Sequence, residues 1–255
     1  MKNWAIILGA SSGIGAACAK SLAKKGINIY GIYLRKKQNE IDIIKQDLES
    51  FGVDVIFKKG NASNEDTINQ SINELLGLKE VRVKMLIHSI AFGTLKPMID
   101  IDGNQLSKKN VDMTLDVMSN NLLYWTQAIF SQKLFSEGSQ IIAMTSAGGR
   151  KNWDSYGAVS LAKAGIESAC RQLSVELAPY NIAVNAIQAG VTDTAALRKI
   201  PGSEKMIQDA TSNNPHKRIT TPEDVSAFIS LLADYNASWM TGNIIRVDGG
   251  EDITG

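Results

Sequence analysis

Tyr156 and Lys163 have the residue types and the spacing for proton chemistry at a substrate oxygen. They lie seven positions apart in a predicted helix, nearly two full turns, so the phenol and the ammonium project from one face. A free tyrosine is a poor acid or base at neutral pH, but a neighbouring cation lowers its pKa. Ser146 ends a predicted strand and could donate a hydrogen bond to the same oxygen. Each residue alone is more often structural, whereas together they predict a catalytic site.

A glycine-rich turn stands between the first predicted strand and the first predicted helix. Glycines permit a tight turn and a close approach of the backbone to a pyrophosphate, and a helix start offers unpaired N–H groups and a favourable dipole. The spacing is G-x-x-x-G-x-G rather than G-x-G-x-x-G, and an ordinary strand-to-helix turn is the alternative. The predicted pyrophosphate ligands are Gly9, Ser11, Ser12, Gly13, Ile14 and Gly15.

Basic residues follow the second predicted strand, in the segment Leu34-Arg35-Lys36-Lys37. An NAD-binding enzyme usually has an acidic residue there for the ribose hydroxyls. A guanidinium instead binds a 2′-phosphate in a forked geometry. A solvated basic loop is the alternative, but the position favours NADP(H), with Arg35 and Lys36 as ligands.

For the predicted catalytic and cofactor-binding residues to act together, strands and helices must place them at one edge of a sheet. Short apolar runs alternate with helical patterns, which predicts a single doubly wound (Rossmann) α/β domain with a seven-stranded, mostly parallel sheet and helices on both faces. The predicted strands are residues 5–8, 27–33, 53–57, 83–88, 141–144, 182–187 and 244–247. The predicted helices are residues 13–25, 40–51, 65–76, 113–135, 155–178 and 222–233, the last capped by Thr221. Residues 191–215 are predicted to be a lid or substrate loop.

The composition limits which binding partners and which cellular compartment we expect for the protein. The 255 residues carry 27 Lys and Arg against 26 Asp and Glu, so there is no extended field for nucleic acid or an anionic membrane. No apolar run is long enough for a signal peptide or a bilayer span, and we expect a cytoplasmic protein without membrane insertion. Cys18 and Cys170 are predicted to be buried and unpaired. His88 and His216 lack clustered carboxylates, so no metal site is predicted.

The motifs resemble the short-chain dehydrogenase/reductase family over essentially the whole chain. The resemblance rests on Gly9 to Gly15, Ser146, Tyr156, Lys163, Ala189-Gly190 and Val247-Asp248-Gly249-Gly250. More narrowly, the Tyr-x6-Lys spacing is similar to enoyl-acyl-carrier-protein reductases, whereas most family members have Tyr-x3-Lys. The same similarity extends to His88-Ser89-Ile90-Ala91-Phe92 and Asn185-Ala186-Ile187-Gln188-Ala189-Gly190. The type that it resembles most uses NADPH, keeps the G-x-x-x-G-x-G turn and opens its substrate loop as in residues 193–199.

The resemblance implies hydride transfer from NADPH to the β carbon of a trans-2-enoyl thioester. Lys163 would position the nicotinamide ribose and polarise Tyr156, which would stabilise the enolate oxygen with help from Ser146. Moving the tyrosine three residues along the helix displaces it by roughly 4.5 Å, which suits a thioester oxygen farther from the hydride acceptor.

Further site residues come from the resemblance alone. Thr194 would bind the nicotinamide carboxamide, and Phe92 with Ala196 would line the acyl pocket. The remaining cofactor contacts would be Asn61 and Ala62 beside the adenine, together with Ser89, Ile90, Ala91, Ala189, Gly190 and Thr192. The family also implies a homotetramer paired through the helices at 113–135 and 155–178.

Two departures from the family pattern leave alternatives open. Met118 takes the place of a helix asparagine that most members have, with Asn120 and Asn121 out of phase with it, and this disfavours a conventional ketoreductase. Many enoyl reductases have tyrosine where this chain has Ser146. A reductase of a carbonyl or a free enone is the first alternative, and a cofactor-binding regulator without turnover is the second. An acidic acyl carrier protein could meet a set of basic residues that otherwise form a solvated face, namely Lys199, Lys205, Lys217 and Arg218.

Overall fold

The computed structural model describes residues 2–234 and 238–254. All seven of its strands belong to one parallel sheet, in the order β3-β2-β1-β4-β5-β6-β7. The strands are β1 (Lys2–Leu8), β2 (Asn28–Tyr33), β3 (Val55–Lys59), β4 (Val81–His88), β5 (Phe135–Ser146), β6 (Ala183–Ala189) and β7 (Ile244–Val247). The strand order reverses between β1 and β4, and such a switch point leaves a crevice at the carboxyl ends of the strands. The predicted doubly wound sheet is confirmed.

Helices cover both faces of the sheet. They are α1 (Gly13–Ala23), α2 (Gln38–Glu49), α3 (Glu65–Gly77), α4 (Lys108–Leu115), α5 (Asn121–Ser131), α6 (Gly157–Leu177), α7 (Ser203–Asn213) and α8 (Pro222–Asp234). Successive strand residues point to opposite faces, so Ile6 and Leu8 join a core with α3, α5 and α6, while Ala5 and Ile7 join one with α1, α2 and α8. The sheet is therefore buried on both faces, which explains its continuous apolar runs.

The predicted helix at 113–135 is wrong in extent. It consists of α4, a π-helical segment Asp116–Asn120 and α5, and the chain then enters β5 at Phe135. The predicted strand at 141–144 is correspondingly too short, because β5 reaches from Phe135 to Ser146. The polar run Ser136-Glu137-Gly138 interrupts the apolar pattern in β5, although the Ser139 hydroxyl bonds the Val83 carbonyl at 2.8 Å and fastens this part to β4.

Residues 191–215 contain more regular structure than the sequence suggested. A 3₁₀ turn at Leu197–Lys199 precedes α7. Gly202, the residue immediately before α7, adopts a left-handed conformation (φ 75°). The predicted cap of α8 is present, since the Thr221 hydroxyl accepts from the Asp224 N–H at 3.2 Å while the Asp224 carboxylate accepts from the Thr221 N–H at 2.8 Å. No helix in the described part of the chain is long and apolar enough to cross a bilayer.

Candidate active site

A cavity of about 810 Å³ opens at the carboxyl ends of the strands. It brings together the three predicted catalytic residues, because β5 ends at Ser146 and α6 begins just after Tyr156. Other predicted residues on its wall are Ser12, Gly13, Ile14, Ser89, Ile90, Ala91, Phe92, Ala189, Gly190, Thr192, Thr194 and Ala196. The glycine turn, the end of β4 and the segment after β6 therefore share one cavity with the three side chains predicted to be catalytic.

Tyr156 sits at the first turn of α6, where its carbonyl accepts the Ser160 N–H at 2.8 Å. Its ring packs against Gly148, where an added Cβ would lie 2.5 Å from the Tyr156 Cε1. Burial raises the pKa of Tyr156, and the neighbouring Ser146 hydroxyl opposes part of that rise. The expectation of a lowered tyrosine pKa is wrong here, because desolvation of the phenolate dominates. The phenol is thus protonated at neutral pH and can donate a hydrogen bond.

Lys163 is buried on α6, and its Nζ donates a 2.7 Å hydrogen bond to the Met144 carbonyl on β5. Burial lowers the pKa of Lys163 to about 8, and the charge of Glu167 opposes that shift. Glu167 lies one helical turn farther along α6 and accepts a 2.6 Å hydrogen bond from the Thr145 hydroxyl. Sequence reasoning missed Glu167, although its i,i+4 spacing from Lys163 in a predicted helix was a usable signal.

His88 ends β4 as a fully buried side chain whose Nε2 lies 2.6 Å from the Asn121 Oδ1. Burial and the charge of Lys163 lower the pKa of His88 to about 4, so the imidazole is neutral at physiological pH. The π-helical segment ends immediately before Asn121 and delivers its amide to His88. Met118 instead packs against Val159 and lies on the cavity wall. The pairing of Asn121 with His88 could not be read from the helical phase, since a π segment changes that phase.

The glycine turn has the shape that a pyrophosphate needs. Gly9 (φ 91°) packs so closely that an added Cβ would lie 2.3 Å from the Ser89 carbonyl oxygen, and a Cβ at Gly15 would lie 2.2 Å from the Gly9 carbonyl oxygen. Ser12 makes no side-chain cap to α1, so the first N–H groups of that helix are left for a ligand. Gly13 faces Thr194 across the cavity, with only 3.4 Å between its notional Cβ and the Thr194 Cγ2. These residues fit a dinucleotide cofactor.

The groups predicted for the adenosine half follow the ends of β2 and β3. The Arg35 guanidinium carbon lies 3.9 Å from the centroid of the Phe92 ring. Lys36 forms an i,i+4 ion pair with Glu40 at 3.7 Å. Asn61 accepts a 3.1 Å hydrogen bond from the Ser63 N–H and so shapes the turn after β3. Ala62 is buried, and its carbonyl accepts the Trp125 indole N–H at 2.8 Å.

The segment after β6 is fastened to its neighbours at several points. The Val191 N–H donates to the Glu251 carboxylate at 2.9 Å, and the Trp153 indole N–H donates to the Pro201 carbonyl at 3.1 Å. The Thr194 hydroxyl accepts the Leu197 N–H at 3.2 Å, while the Thr194 Cγ2 methyl faces the glycine turn. Trp153 comes from the loop before Tyr156 and lines the cavity, and sequence reasoning missed this tie between the catalytic segment and the substrate loop.

Of the basic residues considered for a carrier protein, Lys199 lines the cavity. Lys217 donates to the Ser212 carbonyl at 2.9 Å. Arg218 forms a two-point pair with Asp224 at 2.6 and 2.9 Å, so it is already engaged at the start of α8. Within the part of the chain that the structure describes, no group of three or more His, Cys, Asp or Glu side chains could hold a metal ion.

Comparison with known proteins places the chain among reductases. A model of the family described as "Enoyl-(Acyl carrier protein) reductase" matches residues 9–251. An enoyl-[acyl-carrier-protein] reductase [NADH] from Nostoc sp. is 30% identical over 237 residues, covering 93% of this chain and 90% of that protein. An uncharacterized oxidoreductase from Bacillus subtilis is 30% identical over 251 residues, covering 96% and 95%.

Solved structures share the fold. An enoyl-[acyl-carrier-protein] reductase (NADH) from Aquifex aeolicus superposes with a TM-score of 0.85 at 24% identity, covering 99% of this chain and 97% of that one. A 3-oxoacyl-[acyl-carrier protein] reductase from Brucella melitensis, in complex with NAD, gives 0.86 at 22% identity, covering 100% and 99%. Proteins described by different reactions therefore share this architecture, and the reaction must be argued from the site.

Proposed function

This chain belongs to the short-chain dehydrogenase/reductase family, in the branch described as enoyl-(acyl carrier protein) reductase, and from that premise we propose that it reduces trans-2-enoyl thioesters with NADPH. The observation that carries the proposal is the arrangement of Tyr156 and Lys163 on one cavity. Tyr156 immediately precedes α6 and Lys163 lies nearly two turns farther along, so the phenol and the ammonium reach the cavity from different heights of one helix.

Each residue of the site has its own role in the proposed reaction. When bound, the reduced nicotinamide supplies the hydride for the β carbon of the substrate. The protonated Tyr156 phenol donates a hydrogen bond to the thioester oxygen and stabilises the charge that develops there, and Ser146 adds a second donor beside it. Lys163 holds the nicotinamide ribose, and Thr194 receives the carboxamide. Phe92 and Ala196 form the apolar wall for the acyl group.

The preference for NADPH rests on Arg35. Residues 34–37 contain no carboxylate that would meet the ribose hydroxyls of NADH, and a guanidinium is suited to a 2′-phosphate. The Nostoc and Aquifex relatives are described with NADH, so the proposal of NADPH rests on this chain's own residues and not on those relatives. By family resemblance we also propose a cytoplasmic homotetramer whose substrate arrives on acyl carrier protein or coenzyme A.

Ser146 supports a second candidate, a reductase of a carbonyl or a free enone. A small hydroxyl beside Tyr156, in place of the tyrosine of many enoyl reductases, suits in particular a carbonyl substrate, whose oxygen is bonded to the carbon that accepts the hydride. A carbonyl substrate differs from an enoyl thioester in the position of its oxygen relative to the carbon that is reduced, whereas a free enone differs only in lacking the thioester, so substrate profiling separates the candidates.

The test is NADPH oxidation with crotonyl and longer trans-2-enoyl thioesters, run beside the matching 3-ketoacyl thioesters. Turnover of the enoyl set alone, lost in Tyr156→Phe and kept in the exposed control Tyr180→Phe, is the expected result. Turnover of the ketoacyl set would overturn the enoyl proposal in favour of the second candidate. Tight NADPH binding without turnover of any enoyl or carbonyl substrate would indicate a regulator.

A further inference from the structure

Arg35 and Phe92 meet across the strand that carries the glycine turn. Arg35 lies two residues beyond β2 and Phe92 four beyond β4, and these strands flank β1 on either side. The guanidinium carbon is 3.9 Å from the ring centroid, well inside the range in which a cation is attracted to an aromatic face. The contact therefore spans the carboxyl end of β1, from which the Gly9–Gly15 turn departs.

The partner of Arg35 sets it apart from other arginines of the chain. Arg150, Arg198, Arg218 and Arg246 each form an ion pair with a carboxylate. Within residues 2–234 and 238–254, no carboxylate lies within ion-pair distance of Arg35, and the ring of Phe92 is its recorded contact. A ring restrains the flat face of a guanidinium while its five N–H donors stay available in the plane. An aromatic support of this kind suits an arginine kept ready for an anion.

We propose that Phe92 is a positioning residue for the adenosine 2′-phosphate of the cofactor, acting through Arg35. The Phe92 ring holds the Arg35 guanidinium next to the glycine turn before the cofactor binds, so the Arg35 side chain loses less conformational freedom on binding. Phe92 is then a determinant of the preference for NADPH over NADH, in addition to lining the cavity. The inference rests on the proposed cofactor preference and is independent of which substrate is reduced.

The expected effect is modest and selective. A cation over a partly exposed ring is worth about 1 kcal/mol, which corresponds to roughly fivefold in affinity. Loss of the ring should therefore weaken a ligand that carries the 2′-phosphate about fivefold and leave the matching ligand without it unchanged.

The experiment is calorimetric titration of the full chain with 2′,5′-ADP and with 5′-ADP, which probe only the adenosine half of the site. Phe92→Leu keeps an apolar side chain but removes the aromatic face. Phe51→Leu is the matched control, because Phe51 is also 36% exposed and also lies under a cation, with Lys24 Nζ 5.7 Å from its centroid, but it is remote from the cavity. We expect Phe92→Leu to weaken 2′,5′-ADP selectively, Phe92→Trp to retain binding, and Phe51→Leu to change neither ligand.

Arg35→Ala separates this inference from the proposed cofactor preference. If Arg35→Ala weakens 2′,5′-ADP but not 5′-ADP, and adding Phe92→Leu to it causes no further loss, the positioning role is supported. If Arg35→Ala is selective while Phe92→Leu affects both ligands equally or neither, the role of Phe92 is overturned and the NADPH preference stands. If Arg35→Ala does not discriminate between the ligands, the cofactor preference itself fails. None of these readouts depends on turnover.

Discussion

Replacing Lys163 with methionine should abolish turnover but remove a cost to folding. The pKa of this buried ammonium falls from 10.5 to about 8, a difference of roughly 2.5 units, which corresponds to about 3 kcal/mol of destabilisation. Because the lowered pKa belongs to a cationic group, the cost is fully present below about pH 8 and disappears as the pH rises toward 10.5. Methionine has a similar length and no charge, so at pH 7 it recovers this cost, less about 1–2 kcal/mol for the lost hydrogen bond to the Met144 carbonyl.

The pH dependence is the sharper part of this prediction. Linkage with these pKa values gives a difference in unfolding free energy between Lys163→Met and the parent that shrinks by about 2 kcal/mol from pH 7 to pH 9.5. Urea unfolding at fixed chain concentration measures it at each pH, since subunit association would otherwise shift the midpoint. Lys108→Met is the control, because Lys108 is exposed to solvent rather than buried. A constant difference for Lys163→Met would refute the assignment of a desolvated ammonium at this position.

Three further changes probe the surroundings of the site. Glu167→Gln removes the carboxylate whose charge raises the pKa of Lys163 against the effect of burial, so the alkaline limb of the kcat/KM profile should move to lower pH. An unmoved limb would argue against this electrostatic link. Gly148→Ala places a methyl group 2.5 Å from the Tyr156 ring and should reduce kcat at least tenfold, whereas Gly77→Ala, with nothing within 4 Å of its Cβ, should leave kcat unchanged. His88→Asn should flatten the acid side of the stability profile. The folded-state pKa of His88 is lowered to about 4 from 6.5, so the parent should lose about 2 kcal/mol from pH 7 to pH 4.5 through this group, and equal losses in both proteins would contradict it.

Local sequence patterns were sufficient to predict the alternating strands and helices of the sheet. The apolar runs Ala5–Leu8 in β1 and Met85–Ile87 in β4 are continuous because both faces of the sheet are buried there, and the cap at Thr221 is a contact between near neighbours in sequence. The beginning of β5 escaped prediction because the contacts that make it a strand are made by β4, far away in the chain. The π-helical segment before Asn121 escaped for the same reason, since its stability comes from packing against α6 rather than from the propensities of its own residues.

In the candidate site, too, some features follow from local sequence spacing and others depend on the tertiary fold. The positions of Tyr156, Lys163 and the glycine turn follow from spacing along one helix and one strand-to-helix junction. The direction of the tyrosine pKa did not follow, because it depends on how deeply the folded chain buries the phenol. The stacking of Arg35 on Phe92 joins two loops more than fifty residues apart, and only the strand order β2-β1-β4 brings them together.

Three residues at the candidate site are held in states that destabilise the fold. Lys163 is a charge held in a buried position, His88 is kept neutral by burial, and Ser155, immediately before Tyr156, adopts a left-handed conformation (φ 59°) that favours glycine. The buried ammonium and the left-handed serine cost free energy at neutral pH, His88 costs free energy as the pH falls below 6.5, and all three lie where β4, β5 and α6 converge. The apolar cores on either side of the sheet add to the local contacts of Lys163 with the Met144 carbonyl and of His88 with Asn121 in offsetting this cost. A chain retained only as a scaffold would have no reason to keep a buried lysine beside a buried tyrosine, so the energetic cost of this cluster is itself an argument for turnover.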